Sequence, residues 1–173
     1  EYGVKALAFD VLFIEDHPKD SKVVAAAKSA GNVYFPFSFP QTKPKNGIFT
    51  ADSVQSALLS SYAKAAKGYG YVNTKADVDG KRRRTMPIIS YQNKNYYQLS
   101  FRVVMDVLGI KPEEVRVGPG HTLELSKDLK IPLDDEGYFI VNYAGTWEKT
   151  FKHYSYLDIL ASYVEIQSGE KPR

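Results

Sequence analysis

Apolar residues occupy both alternating sets of residues 4–13 (VKALAFDVLF). Leu7, Phe9, Val11 and Phe13 fall on one set, and Ala6, Ala8 and Leu12 on the other. Apolarity on both sides predicts a central strand covered on two faces, as in a parallel α/β sheet. A helix is expected over residues 20–30, with Asp20 as N-cap and Gly31 as the stop. Residues 32–39 (NVYFPFSF) then predict a second strand, in which Pro36 lacks an N–H and points to an edge or a bulge.

Further along, the Lys/Pro-rich residues 41–47 predict a surface loop. A helix is expected over 51–67, with Val54, Ala57, Leu58 and Ala65 along one face. Residues 69–73 and 83–92 predict strands joined through Asp79-Gly80, a hairpin signal. A helix over 95–108 is stopped by Gly109, and the apolar stretch 115–125 is broken by Gly118-Pro119-Gly120. The turn Asp134-Asp135-Glu136-Gly137 precedes a strand over 138–143. A last helix starts at Ser155, which has the capping-box spacing to Asp158. The sum is one α/β domain over residues 1–173: a mixed, largely parallel central sheet flanked by helices, with one or two inserted β-hairpins.

Composition narrows the function. In 173 residues, 43% hydrophobic content suffices for one core, and 23 basic against 20 acidic residues leave a net charge of only +3. That is no field for nucleic acid, and no nucleic-acid-binding motif is present. The absence of Cys excludes disulfides, thiolate chemistry and Cys-ligated zinc. No apolar run approaches the ~20 residues that cross a bilayer. No G-x-S-x-G elbow, Walker loop, G-x-G-x-x-G fingerprint or H-E-x-x-H pair occurs, and the three histidines are scattered. No catalytic residue, metal ligand or cofactor is assigned from the sequence.

Candidate binding chemistry lies in a few places. Asp10 is the one acid inside an apolar strand, and a buried carboxylate needs donors or a cation around it. It is expected to find them in loop backbone, or else in a ligand or metal. Ligands of open α/β sheets bind beyond the carboxyl ends of the strands, where Asp10, Asp16, Asn142 and Tyr143 would converge. Asp77-x-Asp79-Gly80 has only half of a calcium loop, with Ile88 where the last ligand should stand, so a plain turn is expected. In the run Lys81-Arg82-Arg83-Arg84, Arg83 and Arg84 are forks suited to a carboxylate or phosphate, and a solvated edge is the plainer expectation. Thirteen Tyr and nine Phe make an aromatic-rich chain, in which Tyr96, Tyr97, Tyr138, Tyr143, Tyr154 and Tyr156 near element ends are candidates to wall a pocket or an interface.

Several phrases, in order, carry a family resemblance: the AFDVLF strand, GNVYFPF after a helix, the DVDGKRRR turn, the YYQLSFRVVMDVLG helix, IPLDDEGYFIVNYAG and the YSYLDIL helix. Together they resemble the type-two CHASE domain, an extracytoplasmic sensory domain of bacterial receptors. The resemblance implies a sensor on the periplasmic side of the inner membrane, tethered by flanking transmembrane helices. It would bind an unknown small ligand or periplasmic protein and drive a cytoplasmic nucleotide cyclase or kinase, in one arrangement as a homodimer. Against the family pattern the chain lacks the first helix and the last strand segment, which implies a truncated or short variant. Two alternatives from the residues alone are a carboxylate-metal α/β hydrolase and a structural or adhesive module.

Overall fold

A computed structural model describes residues 3–40, 42–45, 48–118 and 121–172. The chain forms two compact units, Glu1–Val141 and Asn142–Arg173. The first begins with β1 (Leu7–Ala8), α1 (Asp20–Ala30), β2 (Val33–Phe37), β3 (Lys43–Lys45), β4 (Ile48–Ala51), α2 (Ser60–Ala65) and β5 (Gly68–Tyr71). It continues through β6 (Arg84–Thr85), β7 (Ile88–Tyr91), β8 (Lys94–Tyr97) and α3 (Leu99–Val107). A 3-10 turn (Pro112–Glu114) then leads to β9 (Arg116–Gly118), β10 (Thr122–Glu124), β11 (Lys130–Pro132) and β12 (Phe139–Ile140). The α/β class expected from the sequence is borne out, with several small antiparallel sheets beside a parallel one.

That parallel sheet has the order β1-β2-β5 and is built around β2, whose five residues are all buried. Its register pairs Tyr34 with Gly68 and Phe37 with Tyr71. Side chains alternate across a strand, so Val33 and Phe35 share one face, where they pack with Ala27 of α1 and with Tyr62 and Ala65 of α2. Phe9, Phe13, Phe35 and Tyr62 form a ring cluster there, with centroids 4.7–5.8 Å apart. The other face carries Tyr34, Gly68 and Gly70 against α3. A Cβ on Gly70 would lie 2.6 Å from the Leu99 Cα, so only glycine lets the chains approach so closely. Tyr34 Oη donates to Asp106 of α3 at 2.8 Å. Burial and that carboxylate push the Tyr34 hydroxyl up to about 12.

A four-stranded sheet, β3-β4-β7-β8, holds the second cluster, which includes Phe49, Tyr71, Met86 and Ile89. Its β7–β8 hairpin turns through Gln92 (φ 49°) and Asn93 (φ 58°), a two-residue loop with both central residues left-handed. A third cluster joins Met105 of α3 to Leu123 and Leu125 at the β9-β10-β11 sheet.

Several expectations are corrected. The stretch 4–13 is no covered central strand: only Leu7 and Ala8 pair, at the sheet edge, and both are exposed. The central strand is β2, despite Pro36. The carbonyls of Asn32 and Tyr34 face β1, accepting from Leu7 and Phe9, and the period of two puts Pro36 on that same side. Strand β1 has ended before it reaches Pro36, so no ladder bond is lost. The helix expected over 51–67 shrinks to Ser60–Ala65 because Ser38 claims the backbone before it: Gln55 and Ser56 N–H both donate to the Ser38 carbonyl. Residues 95–97, expected in a helix, belong to β8, and α3 starts behind Gln98, whose side chain accepts from Ser100 and Phe101 N–H.

Asp79-Gly80 forms a tight turn, with Gly80 at φ 80°, but the flanking strands do not pair with each other. β5 pairs with β2, and β6 with β12. Helix α1 has the expected bounds and ends on left-handed Gly31. Lys19 rather than Asp20 is its N-cap, and the Asp20 carboxylate instead accepts from His17 N–H and Tyr62 Oη. In the expected loop 41–47, residues 43–45 form β3, while Gln41, Asn46 and Gly47 lie outside the described residues, as do Pro119 and Gly120 of the expected break at 118–120.

The second unit contains α4 (Trp147–Thr150) and α5 (Tyr156–Gln167). Helix α5 is capped by Ser155, whose hydroxyl accepts from Leu157 N–H at 3.2 Å, while the reciprocal Asp158 bond of the expected capping box does not form among the described residues. The Trp147 indole stacks on His153 with centroids 3.9 Å apart. No residue of α5 is buried, although Tyr156, Leu157, Ile159, Leu160, Tyr163 and Val164 are all large and apolar.

Candidate functional site

The end of β2 opens into an apolar pocket. Phe37 closes the strand and Phe39 follows two residues later, so both point to the same side as the chain runs out of the sheet. The connection into α2 adds Val54, Ala57 and Leu58, α2 itself adds Ala63, and Tyr69 of β5 and Tyr96 of β8 complete the walls. The pocket's volume is about 210 Å³. The rings brace one another: Phe37 packs edge-on against Tyr69 and Tyr96 at 6.0 and 5.7 Å, and Phe39 against Tyr96 at 5.7 Å. Such preset rings hold a pocket open with little conformational entropy left to lose on binding.

Tyr69 and Tyr96 also line a second, polar compartment of about 320 Å³, together with Lys67, Gly68, Lys94, Asn95, Tyr97, Arg102 and Pro112. Three of these are cations and none is an acid. Arg102 is engaged by Asp106 on the next turn of α3, whereas Lys67 and Lys94 form no ion pair among the described residues. Burial, followed by the neighbouring Tyr69 and Tyr91, raises the Tyr96 hydroxyl above its ordinary value. It is therefore a protonated donor at neutral pH.

The residues singled out from the sequence are differently placed. Asp10 is exposed just beyond the end of β1, so the burial that was to demand a partner does not occur, and Asp16 is exposed as well. Arg83 and Arg84 lie together, with their forks filled by the chain's own acids. Arg83 bridges Asp77 at 3.2 Å and Asp79 at 2.7 Å, and Arg84 holds Asp77 at 3.0 Å and Asp134 at 3.3 Å. The Arg84 guanidinium also lies 5.0 Å from the centroid of the Tyr138 ring. These contacts tie the 77–84 segment to the 134–138 turn through Asp134. Hydrogen bonds from Arg83 and the Lys81 N–H hold Asp79 down at about 2, and Arg84 above all lowers Asp77. Asn142 and Tyr143 are exposed residues of the second unit.

Of the aromatic residues picked out as wall candidates from the sequence, Tyr96 lines both compartments and Tyr97 the second, and the other lining residues were not read as a site. The readable signal was the period-two run Phe35, Phe37, Phe39, which outlasts the strand itself. Lys67 and Lys94 carry no local signal, because they meet only through the fold.

No curated protein and no solved structure matches this chain. A family model described as the CHASE2 domain matches residues 1–171, across both units, and the chain belongs to this family of sensory domains of signalling receptors.

Proposed function

We propose that the chain is the ligand-sensing domain of a membrane-bound bacterial receptor. It faces the periplasm and passes its signal to a cytoplasmic nucleotide cyclase or kinase. The observation that carries the reading is the open, ring-braced pocket at the carboxyl end of β2, the kind of concave and largely preformed site that small ligands use. It lies where an open α/β sheet leaves a crevice, at a strand end, although its lining differs from the acids and the Asn142-Tyr143 pair expected there. Family membership supports a sensory rather than a catalytic role. No helix among the described residues is long and apolar enough to cross a membrane, and in this reading flanking transmembrane helices supply the tether. The partners are then a small ligand and, through the exposed apolar helix α5, a second copy of the receptor.

A pocket-filling variant in the full-length receptor tests this. Ala57 lines the pocket yet is exposed, so Ala57→Trp occupies the space without disturbing a core cluster. The variant is expected to fold as the parent does and to lock the effector output at one level across conditions that modulate the parent. A variant receptor that still responds like the parent would show that this pocket does not sense.

A further inference from the structure

We propose that the pocket binds a small amphipathic organic anion: an apolar body lodged among Phe37, Phe39, Val54 and Leu58, and an acid head held by Lys67 and Lys94 across the Tyr69–Tyr96 wall. This rests on the reading of the same pocket as a ligand site, and it adds the chemical class of the ligand.

Three observations lead there. The first is size. The apolar compartment alone, at about 210 Å³, falls below the ~300–1,000 Å³ of small-molecule sites, and it enters that range once the adjoining 320 Å³ is included. The two compartments share Tyr69 and Tyr96, so a ligand reaching from one to the other crosses those residues. The second is division of chemistry. The first compartment is walled by aromatic and aliphatic side chains, and the second gathers three cations with no acid among its lining residues.

The third is availability. Most arginines of the first unit are already spent: Arg83 and Arg84 on Asp77, Asp79 and Asp134, and Arg102 on Asp106. Lys67 and Lys94 have no such partner among the described residues. With Arg102 already paired to Asp106, the two lysines leave a net positive charge along this compartment, which favours an anion. Tyr96, kept protonated, adds a neutral donor at the boundary. A neutral apolar ligand would leave the lysine side unused, and a cation would be repelled by it.

The test uses the full chain and three probes with the same ten-carbon body: decanoate, decanol and decyltrimethylammonium, titrated calorimetrically. Decanoate is expected to bind about tenfold more tightly than decanol, on the scale of two exposed charge contacts, and the ammonium probe not at all. The double variant Lys67→Met, Lys94→Met, both at exposed positions, should erase the preference for decanoate while leaving decanol binding unchanged. Ala57→Trp should abolish binding of both probes. Equal binding of decanoate and decanol to the parent chain would overturn the anion inference and leave the pocket reading standing. Binding of none of the three overturns both. Decanoate binding insensitive to either variant would place the probe elsewhere on the surface and overturn the inference as well. Unchanged thermal midpoints confirm that the variants are folded.

Discussion

Strand β2 and helix α5 are both rich in apolar residues, and they end up in opposite environments. Val33–Phe37 is buried at every position, whereas Tyr156–Gln167 is buried at none. The difference is not one of hydropathy. Strand β2 has a sheet neighbour on each side and a helix layer over each face, so each of its side chains meets rings or aliphatic groups of its own chain. Helix α5 belongs to a short second unit with no buried cluster among the described residues, and its exposed apolar side chains are what the proposed second copy would cover. Apolar content therefore reports what a segment seeks, and topology decides whether the chain itself supplies it.

The largest effect should come from breaking the buried side. Phe35 is 0% exposed and packs against Phe9, Phe13 and Tyr62, so Phe35→Ala opens a cavity among these rings. A loss of about 3–5 kcal/mol is expected, read as a fall in the urea midpoint at unchanged slope. If Phe35→Ala cost no more than a surface change, the contrast between the two segments would collapse.

A second probe of the same side adds an atom instead of removing several. At Gly70 a Cβ would lie 2.6 Å from the Leu99 Cα and 2.8 Å from the Tyr97 carbonyl oxygen, both backbone atoms that cannot swing aside. Gly70→Ala should cost about 1–3 kcal/mol by overpacking. Gly68→Ala, whose nearest contacts are side-chain atoms of Tyr34 and Arg102 at 3.1–3.2 Å, should cost less. Thermal unfolding of the two variants side by side gives the order.

These two segments also mark how far the sequence could be read. Signals that act within a few residues were legible: the bounds of α1 with its Gly31 stop, the Ser155 cap of α5 and the tight turns at Asp79-Gly80 and Asp134-Gly137. What a strand pairs with is a non-local fact, and there the reading inverted. The stretch 4–13 looked central and pairs only at an edge, while β2, where Pro36 pointed to an edge or a bulge, is central. The pocket was hidden for the same reason, since its walls come from four elements and the links between them. The dense cationic run 81–84 drew attention, yet the fold neutralises much of it with Asp77, Asp79 and Asp134. Lys67 and Lys94, far apart in sequence, share one compartment because β5 and β8 bring them there.

That ionic tie, intermediate between core and surface, predicts a pH dependence. The folded chain holds the Asp79 carboxyl at about 2 against an ordinary value of 3.8, a depressed pKa. Its contribution to stability is therefore present above about pH 4 and is lost as pH falls through 2. In Arg83→Gln the side-chain carboxyl resonance of Asp79 should titrate with a midpoint moved up toward 3.8. It should not return fully, because the Lys81 N–H still donates to Asp79. A midpoint unmoved by the substitution would mean that Arg83 does not hold this carboxylate in solution.

The smallest effect on stability, and the most informative for signalling, belongs to α5. Leu157 is 74% exposed and Leu160 43% exposed, so Leu157→Ala and Leu160→Ala remove few contacts and should change the stability of the isolated chain by no more than about 0.5 kcal/mol. In the full-length receptor the expectation reverses. Ligand binding can shift an output only through different affinities for two states, so an element that packs differently in those states must carry the difference. A capped helix with an unburied apolar surface is suited to that, because it can gain a partner in one state and lack it in the other. The two substitutions should therefore alter effector output while leaving ligand affinity in the β2 pocket unchanged. Hydrogen exchange of the receptor with and without ligand should show altered protection along Tyr156–Gln167. A receptor whose output responds to ligand while this helix keeps the same protection would send its signal by another route, and the exposed surface of α5 would then serve assembly alone.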